Sequence, residues 1–299
     1  MKITASIKAG FKRSLKSWRG ILAMWFVSLI LVSLVAIPMK GALMAGIGNS
    51  MITEKLAKGI DVEVFADLGA AFRSLGSYFS SGLLMTMIAG FLISSFFCGG
   101  LFSSLKGSQT DFSAAEFFRS SVKYFRSFLV ISVLVTLMII CFAVLIIIVP
   151  LMIVSQSQVL HEGAILKAGI IASSCFMLVL VFILLVADYS RAWQVSNEKN
   201  SALKALGFGI RQTFRIFINS FGLMIILLII QVIYGFFVLR ILAGLKPVNG
   251  SGIFMLFLLS QLLFFIKIML KAGRYGSVTR MMEINISPRS GDSSLRSEL

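Results

Sequence analysis

The chain has 299 residues, 58% hydrophobic and 13% charged, against about 45–50% and about 25% in ordinary soluble domains. That balance argues against a water-soluble globular protein. The net charge of +16 would suit nucleic acid, but the placement of the cations described below accounts for it at a membrane, so no nucleic-acid partner is implied.

A helix that crosses hydrocarbon needs about 20 mostly apolar residues. Six stretches qualify: 21–46, 82–105, 128–154, 165–187, 217–240 and 253–271. Continuous apolar runs such as 138–148 exclude the period-two strands of a membrane barrel.

Residues 1–19 precede the first stretch. On a helical wheel Ile3, Ile7, Phe11, Leu15 and Trp18 share one arc, and Lys2, Lys8, Lys12, Arg13, Lys16 and Arg19 fill the opposite side. This is a basic amphipathic helix suited to lie on an anionic leaflet. The first stretch ends in Pro38-Met39-Lys40 with no small-residue cleavage pattern, so it reads as a retained span. Over 49–81 the spacing predicts a short helix at 52–58, ended by Gly59. A second helix, lying on the outer surface or folded back over the bundle, would carry Val64, Phe65, Leu68, Phe72 and Leu75.

Gly99-Gly100, late in the second span, marks a tight crossing or a helix end. Ser113-Ala-Ala-Glu116 has the form of a capping box. It opens a helix with Phe117, Phe118, Val122, Phe125 and Phe128 on one side and Arg119, Lys123 and Arg126 on the other. Pro150, like Pro38, predicts a kink or an end. Asp188 closes the fourth span. Ser201 opens a third basic helix, with Leu203, Leu206, Ile210, Phe214 and Phe217 opposed to Lys204, Arg211 and Arg215. Residues 287–299 have no apolar period and are expected to be a disordered cytoplasmic tail.

The basic helices align as repeats. At an offset of 88, Ser113-Ala114 meets Ser201-Ala202 and Val122-Lys123 meets Ile210-Arg211, and 15–19 resembles 122–126. The expected fold is therefore all-α. One transmembrane domain over 1–286 holds six helices as three hairpins, each preceded by a basic interfacial helix. The repeats run in one direction, unlike the inverted repeats of many transporters.

Charge predicts orientation. The N-terminal segment, the second and fourth gaps and the tail hold 20 of the 28 Lys and Arg residues. Cytoplasmic loops retain such residues, so both termini are expected in the cytoplasm of a multi-pass bacterial inner-membrane protein.

Chemistry is sparse. His161 is the sole histidine, and Cys98, Cys141 and Cys175 lie in apolar stretches without metal spacing, so they read as small buried hydrophobes. No nucleophile elbow, zinc helix or phosphate loop occurs, and no carboxylate sits in the middle of a span. Neither catalytic residues, a metal nor a cofactor is expected. Gln231 and Gln261, near the middles of the last two spans, either pair between helices or line a cavity. Lys267, Lys271 and Arg274 share a helix face; they either snorkel or hold an anionic lipid headgroup. Asp188 and Arg191, three residues apart, suit a structural ion pair, or Asp188 docks a basic helix. Ser94-Ser95 and Ser173-Ser174 read as close-packing positions.

Gly99-Gly100-Leu101-Phe102 with Asp111-Phe112, then Asp188-Tyr189-Ser190-Arg191, then Ser201-Ala202-Leu203 resemble a group of bacterial six-span proteins. These are the membrane-domain proteins associated with glycerophosphoryl diester phosphodiesterases and related uncharacterised integral membrane families. The resemblance implies the six-span fold. It carries no catalytic activity, because the soluble phosphodiesterase barrel with its metal ligands is absent. The expected function is a non-catalytic membrane protein binding anionic lipids, a partner protein or a second copy. The alternative is a permease for a small or lipid-like solute.

Overall fold

A computed structural model describes residues 2–47, 69–106, 112–156, 162–197, 201–245 and 249–286. Among them all regular structure is helical. The helices are α1 Lys2–Lys16, α2 Trp18–Ile47, α3 Gly69–Ser104, α4 Ala114–Ala143, α5 Val149–Gln156, α6 Glu162–Ser196, α7 Ala202–Arg215, α8 Phe217–Gly244 and α9 Gly250–Ile286, with a π-helical turn at Val144–Ile148. Six candidate spans are long and apolar enough to cross a membrane: Trp18–Pro38, Ser80–Ser104, Ala114–Val154, Leu166–Ser196, Phe217–Gly244 and Gly250–Ile286. The chain is an all-α, multi-pass membrane protein. The predicted helix at 52–58, the single histidine and the polar tail lie outside the described residues.

Several helices run on past the apolar stretches that predicted them. The fourth and sixth continue through Asp188 and Lys271 to Ser196 and Ile286. Hydropathy measures hydrocarbon, whereas a helix ends only where its backbone loses partners. The predicted basic helix at 113–128 and the first part of the third span are likewise one unbroken helix, α4, and the π-turn and α5 complete the span. The surface helix expected before the second span is, from Gly69 onward, the beginning of α3. Pro38 lies inside α2. Pro150 lies two residues past the end of the π-turn; its ring cannot donate to, and would crowd, the carbonyl four residues back, and the wider turn relieves this.

The helix starts follow from side chains. Ser113 and Ser201 have extended backbone and accept from the Glu116 and Lys204 N–H groups, at 3.5 and 3.4 Å, which satisfies donors that no helical carbonyl reaches.

The chain divides into two compact units, Ala23–Ser94 and Met1–Leu22 with Ser95–Leu299. In the first, α2 and α3 run antiparallel. A Cβ at Gly82 would lie 2.9 Å from Val35, and one at Gly90 would lie 3.8 Å from Leu31.

The second unit follows one packing rule three times: a helix that begins a hairpin crosses the last turns of another span through small residues. On α1 the buried stripe is Ser6, Gly10 and Ser14, against α9. A Cβ on Gly10 would overlap Ser277, and one on Gly276 would lie 2.8 Å from the Gly10 carbonyl. On α7 the stripe is Ala205, Gly209 and Thr213, against α6. A Cβ on Gly209 would overlap Ser190 and come within 2.6 Å of the Val186 carbonyl. At the start of α4, Phe117 and Ser121 meet Gly100 of α3, with the Phe117 carbonyl 2.6 Å from where a Cβ would be. Ser121 and Gly209, superposed by the offset of 88, occupy matching crossings. Because α1 closes onto α9, the two ends of the described chain are joined, and Arg13 secures that closure. It forms a forked pair with Glu283, at 3.1 and 2.8 Å, and donates to the Leu105 carbonyl at 3.1 Å.

In lipid, helices gain little by burying large apolar side chains against one another, because hydrocarbon solvates them equally well. Small stripes bring backbones close, and the large apolar residues point away: Leu15, Trp18, Leu203 and Phe214 are all about half exposed or more. The apolar side predicted for the α4 start is split. Phe117 and Phe128 are buried in protein, whereas Phe118 and Val122 are exposed. Buried hydroxyls at the crossings return their protons to the helix. Ser121, Ser190, Thr213 and Ser277 donate to carbonyls four residues back at 2.6–3.0 Å.

Candidate functional site

The spans that continue past their apolar stretches carry charge into the protein. On α6, Asp188 is fully buried. Its Oδ2 lies 3.0 Å from Arg274 Nε on α9, and its Oδ1 lies 3.6 Å from Arg191 Nη1 one helical turn away. Arg191 also donates to Ser132 Oγ on α4 at 3.1 Å. One carboxylate thus ties α6 to α9, and its helix partner reaches α4. Among the described residues neither oxygen of Asp188 has a donor aligned for a hydrogen bond, so direct charge attraction carries the pairing.

The Tyr275 ring lies beside these charges. The Arg274 guanidinium lies 5.1 Å from the Tyr275 ring centroid, and the Lys271 ammonium lies 5.9 Å from it, distances at which a cation feels the negative face of the ring. Tyr275 packs on Phe102 with centroids 4.7 Å apart. Tyr189 and Ser220 share a 2.6 Å hydrogen bond that joins α6 to α8.

Beside this cluster lies a groove of about 460 Å³ between α8 and α9, within the roughly 300–1,000 Å³ typical of small-molecule sites. Its α8 wall runs from Gln231 through Gly235 and Val238 to Leu242, and its α9 wall runs from Ser260 through Phe264 to Lys267, Lys271 and Arg274. Most of the lining is apolar, with the cations gathered toward one end. A Cβ on Gly235 would meet nothing within 4 Å, so that position opens directly onto the groove.

The predicted site residues are thus regrouped. Lys267, Lys271 and Arg274 do line one cavity, but Arg274 is committed to Asp188 and is nearly buried, whereas Lys267 is exposed. The predicted pair of Asp188 with Arg191 is present, but the shorter contact is the interhelical one to Arg274. Asp188 therefore docks a span rather than a basic interfacial helix. Gln231 joins the groove wall, and Gln261 is not among its lining residues. Cys98 is buried, 3.9 Å from the Tyr275 hydroxyl. Cys141 and Cys175 are exposed, contrary to the reading of all three as buried hydrophobes, because each falls on a helix face that no described residue covers. Ser173 and Ser174 are exposed too, Ser174 bonding its own helix at the Ile170 carbonyl. Gly99-Gly100 is the tight crossing.

Ser132 and Tyr275 escaped the sequence reading. Tyr275 directly follows Arg274, just past the predicted end of the sixth span, where only a longer helix would have drawn notice to it. Among the described residues no group of three or more His, Cys, Asp or Glu side chains converges as a metal site would require. No known protein family, curated protein or solved structure matches this chain.

Proposed function

We propose that this chain is a non-catalytic, multi-pass protein of the bacterial inner membrane that binds membrane lipid, with both termini in the cytoplasm. The observation that carries the reading is the groove between α8 and α9, apolar along most of its length and cationic at one end. An amphiphile has the same division. Two further features support it. The starts of α1, α4 and α7 expose large apolar residues beside Lys and Arg, as helices at an anionic leaflet do, and the cations concentrate in alternate gaps.

The test is purification of the full chain from native membrane, with identification of the lipids and proteins that accompany it. Retention of a defined lipid through delipidating washes supports the reading. A stoichiometric protein companion with no retained lipid would replace it with a subunit role. Labelling of single cysteines placed near Met1 and Leu299 checks the orientation; labelling of either from the outer side refutes it.

Gln231 in the groove wall favours a second reading, a permease for a lipid-like solute. It predicts that Gln231→Leu abolishes transport of the retained molecule in proteoliposomes while leaving folding intact.

A further inference from the structure

Among the described residues the charges around Asp188 do not balance. Arg191 and Arg274 face one carboxylate, and Lys271 and Lys267 continue the α9 face toward the groove. The Glu283 carboxylate is engaged elsewhere, by Arg13 and Arg280. Among the described residues no carboxylate lies within ion-pair distance of Lys267 or Lys271. Cations at the edge of hydrocarbon with no described carboxylate beside them favour an anion there.

The kind of anion follows from the donors. With Arg274 bound to Asp188, two lysines remain, four residues apart and so on one helix face. A lysine ammonium acts as a point charge, and two of them suit an anion that spreads charge over several oxygens. A carboxylate is better matched by the arginine fork. The rest of the groove offers apolar walls and the open space above Gly235.

We propose that this groove holds one anionic, phosphate-bearing amphiphile, its phosphate seated between Lys267 and Lys271 and one acyl chain laid along Gly235, Val238 and Phe264. The phosphate is the counter-ion that Asp188 cannot supply alone. This rests on the lipid-binding reading and names the ligand class.

The test uses the full-length chain, delipidated in a neutral detergent. Binding is read by native mass spectrometry and by thermal unfolding. The probes are dioleoylphosphatidylglycerol, dioleoylphosphatidylcholine, oleate and inorganic phosphate. Phosphatidylglycerol should bind best and raise the melting temperature most. Lys267→Gln and Lys271→Gln should each weaken it about fivefold, and about 25-fold together, at the strength typical of a lysine near anionic lipid. Gly235→Leu removes no charge and enters open space, so it should fold normally and exclude the acyl chain. Equal affinity for phosphatidylcholine, untouched by the lysine variants, would overturn the anion site and leave lipid binding standing. Oleate binding as tightly as phosphatidylglycerol would overturn the phosphate assignment. Inorganic phosphate protecting as well as the lipid would reassign the anion to a soluble source and overturn the acyl-chain placement. Failure of every lipid to bind would sink this inference and the lipid-binding reading together.

Discussion

Replacing Asp188 by Asn keeps the shape of the side chain and removes its charge. At an effective dielectric near 20, the 3.0 Å contact to Arg274 and the 3.6 Å contact to Arg191 correspond to gross attractions of about 5.5 and about 4.6 kcal/mol. Desolvating three ions has already cancelled much of that in the native protein. The variant removes the attraction, leaves both guanidinium groups where they were, and sets them against each other. Loss of one partner from a buried pair costs about 3–5 kcal/mol, and Asp188→Asn should fall in that range. The assay is reversible unfolding in mixed micelles. A cycle adds discrimination: Asp188→Leu with Arg274→Leu should cost less than the sum of the two single changes, with a coupling of about 0.5–3 kcal/mol. If Asp188→Asn lies within about 1 kcal/mol of the parent, as an exposed ion pair would, the α6–α9 tie is not what holds these spans and the argument fails.

The glycine crossings make an opposed pair of predictions on one helix. Gly209→Val drives a side chain into Ser190 and the Val186 carbonyl and should destabilise by about 1–3 kcal/mol, whereas Gly207→Ala enters open space and should stabilise α7 by up to about 1 kcal/mol; the same unfolding assay reads both. Ser113→Ala and Ser201→Ala should each lose about 1 kcal/mol by uncapping a helix, with no change in retained lipid. Arg13→Ala should release the closure of α1 on α9. Faster limited proteolysis between α1 and α2 in this variant is the expected result, and an unchanged cleavage rate would show that the small-residue crossing holds the end by itself.

Much of this architecture was legible in the residues alone. The six spans and the serine caps at 113 and 201 follow from local rules: hydrocarbon thickness fixes span length, and a hydroxyl at the right backbone geometry starts a helix. What was missed falls on residues that hydropathy scores poorly. Ser6, Gly10 and Ser14 look unremarkable beside Ile3, Ile7 and Phe11, yet they are the face that packs, because in a membrane close backbone approach decides packing and greasiness does not.

The site divides the same way. Sequence placed Lys267, Lys271 and Arg274 on one helix face, and the structure keeps them on one groove wall. It could not say which of them was already paired, since Asp188 and Arg274 are 86 positions apart and meet only when α6 and α9 come together. The period and length of apolar runs belong to each segment separately, so the sequence determined the spans and the serine caps. Which cation meets Asp188, which glutamine faces the groove and which end of the chain closes on which span depend on how helices are set side by side, and the tertiary structure alone decided them.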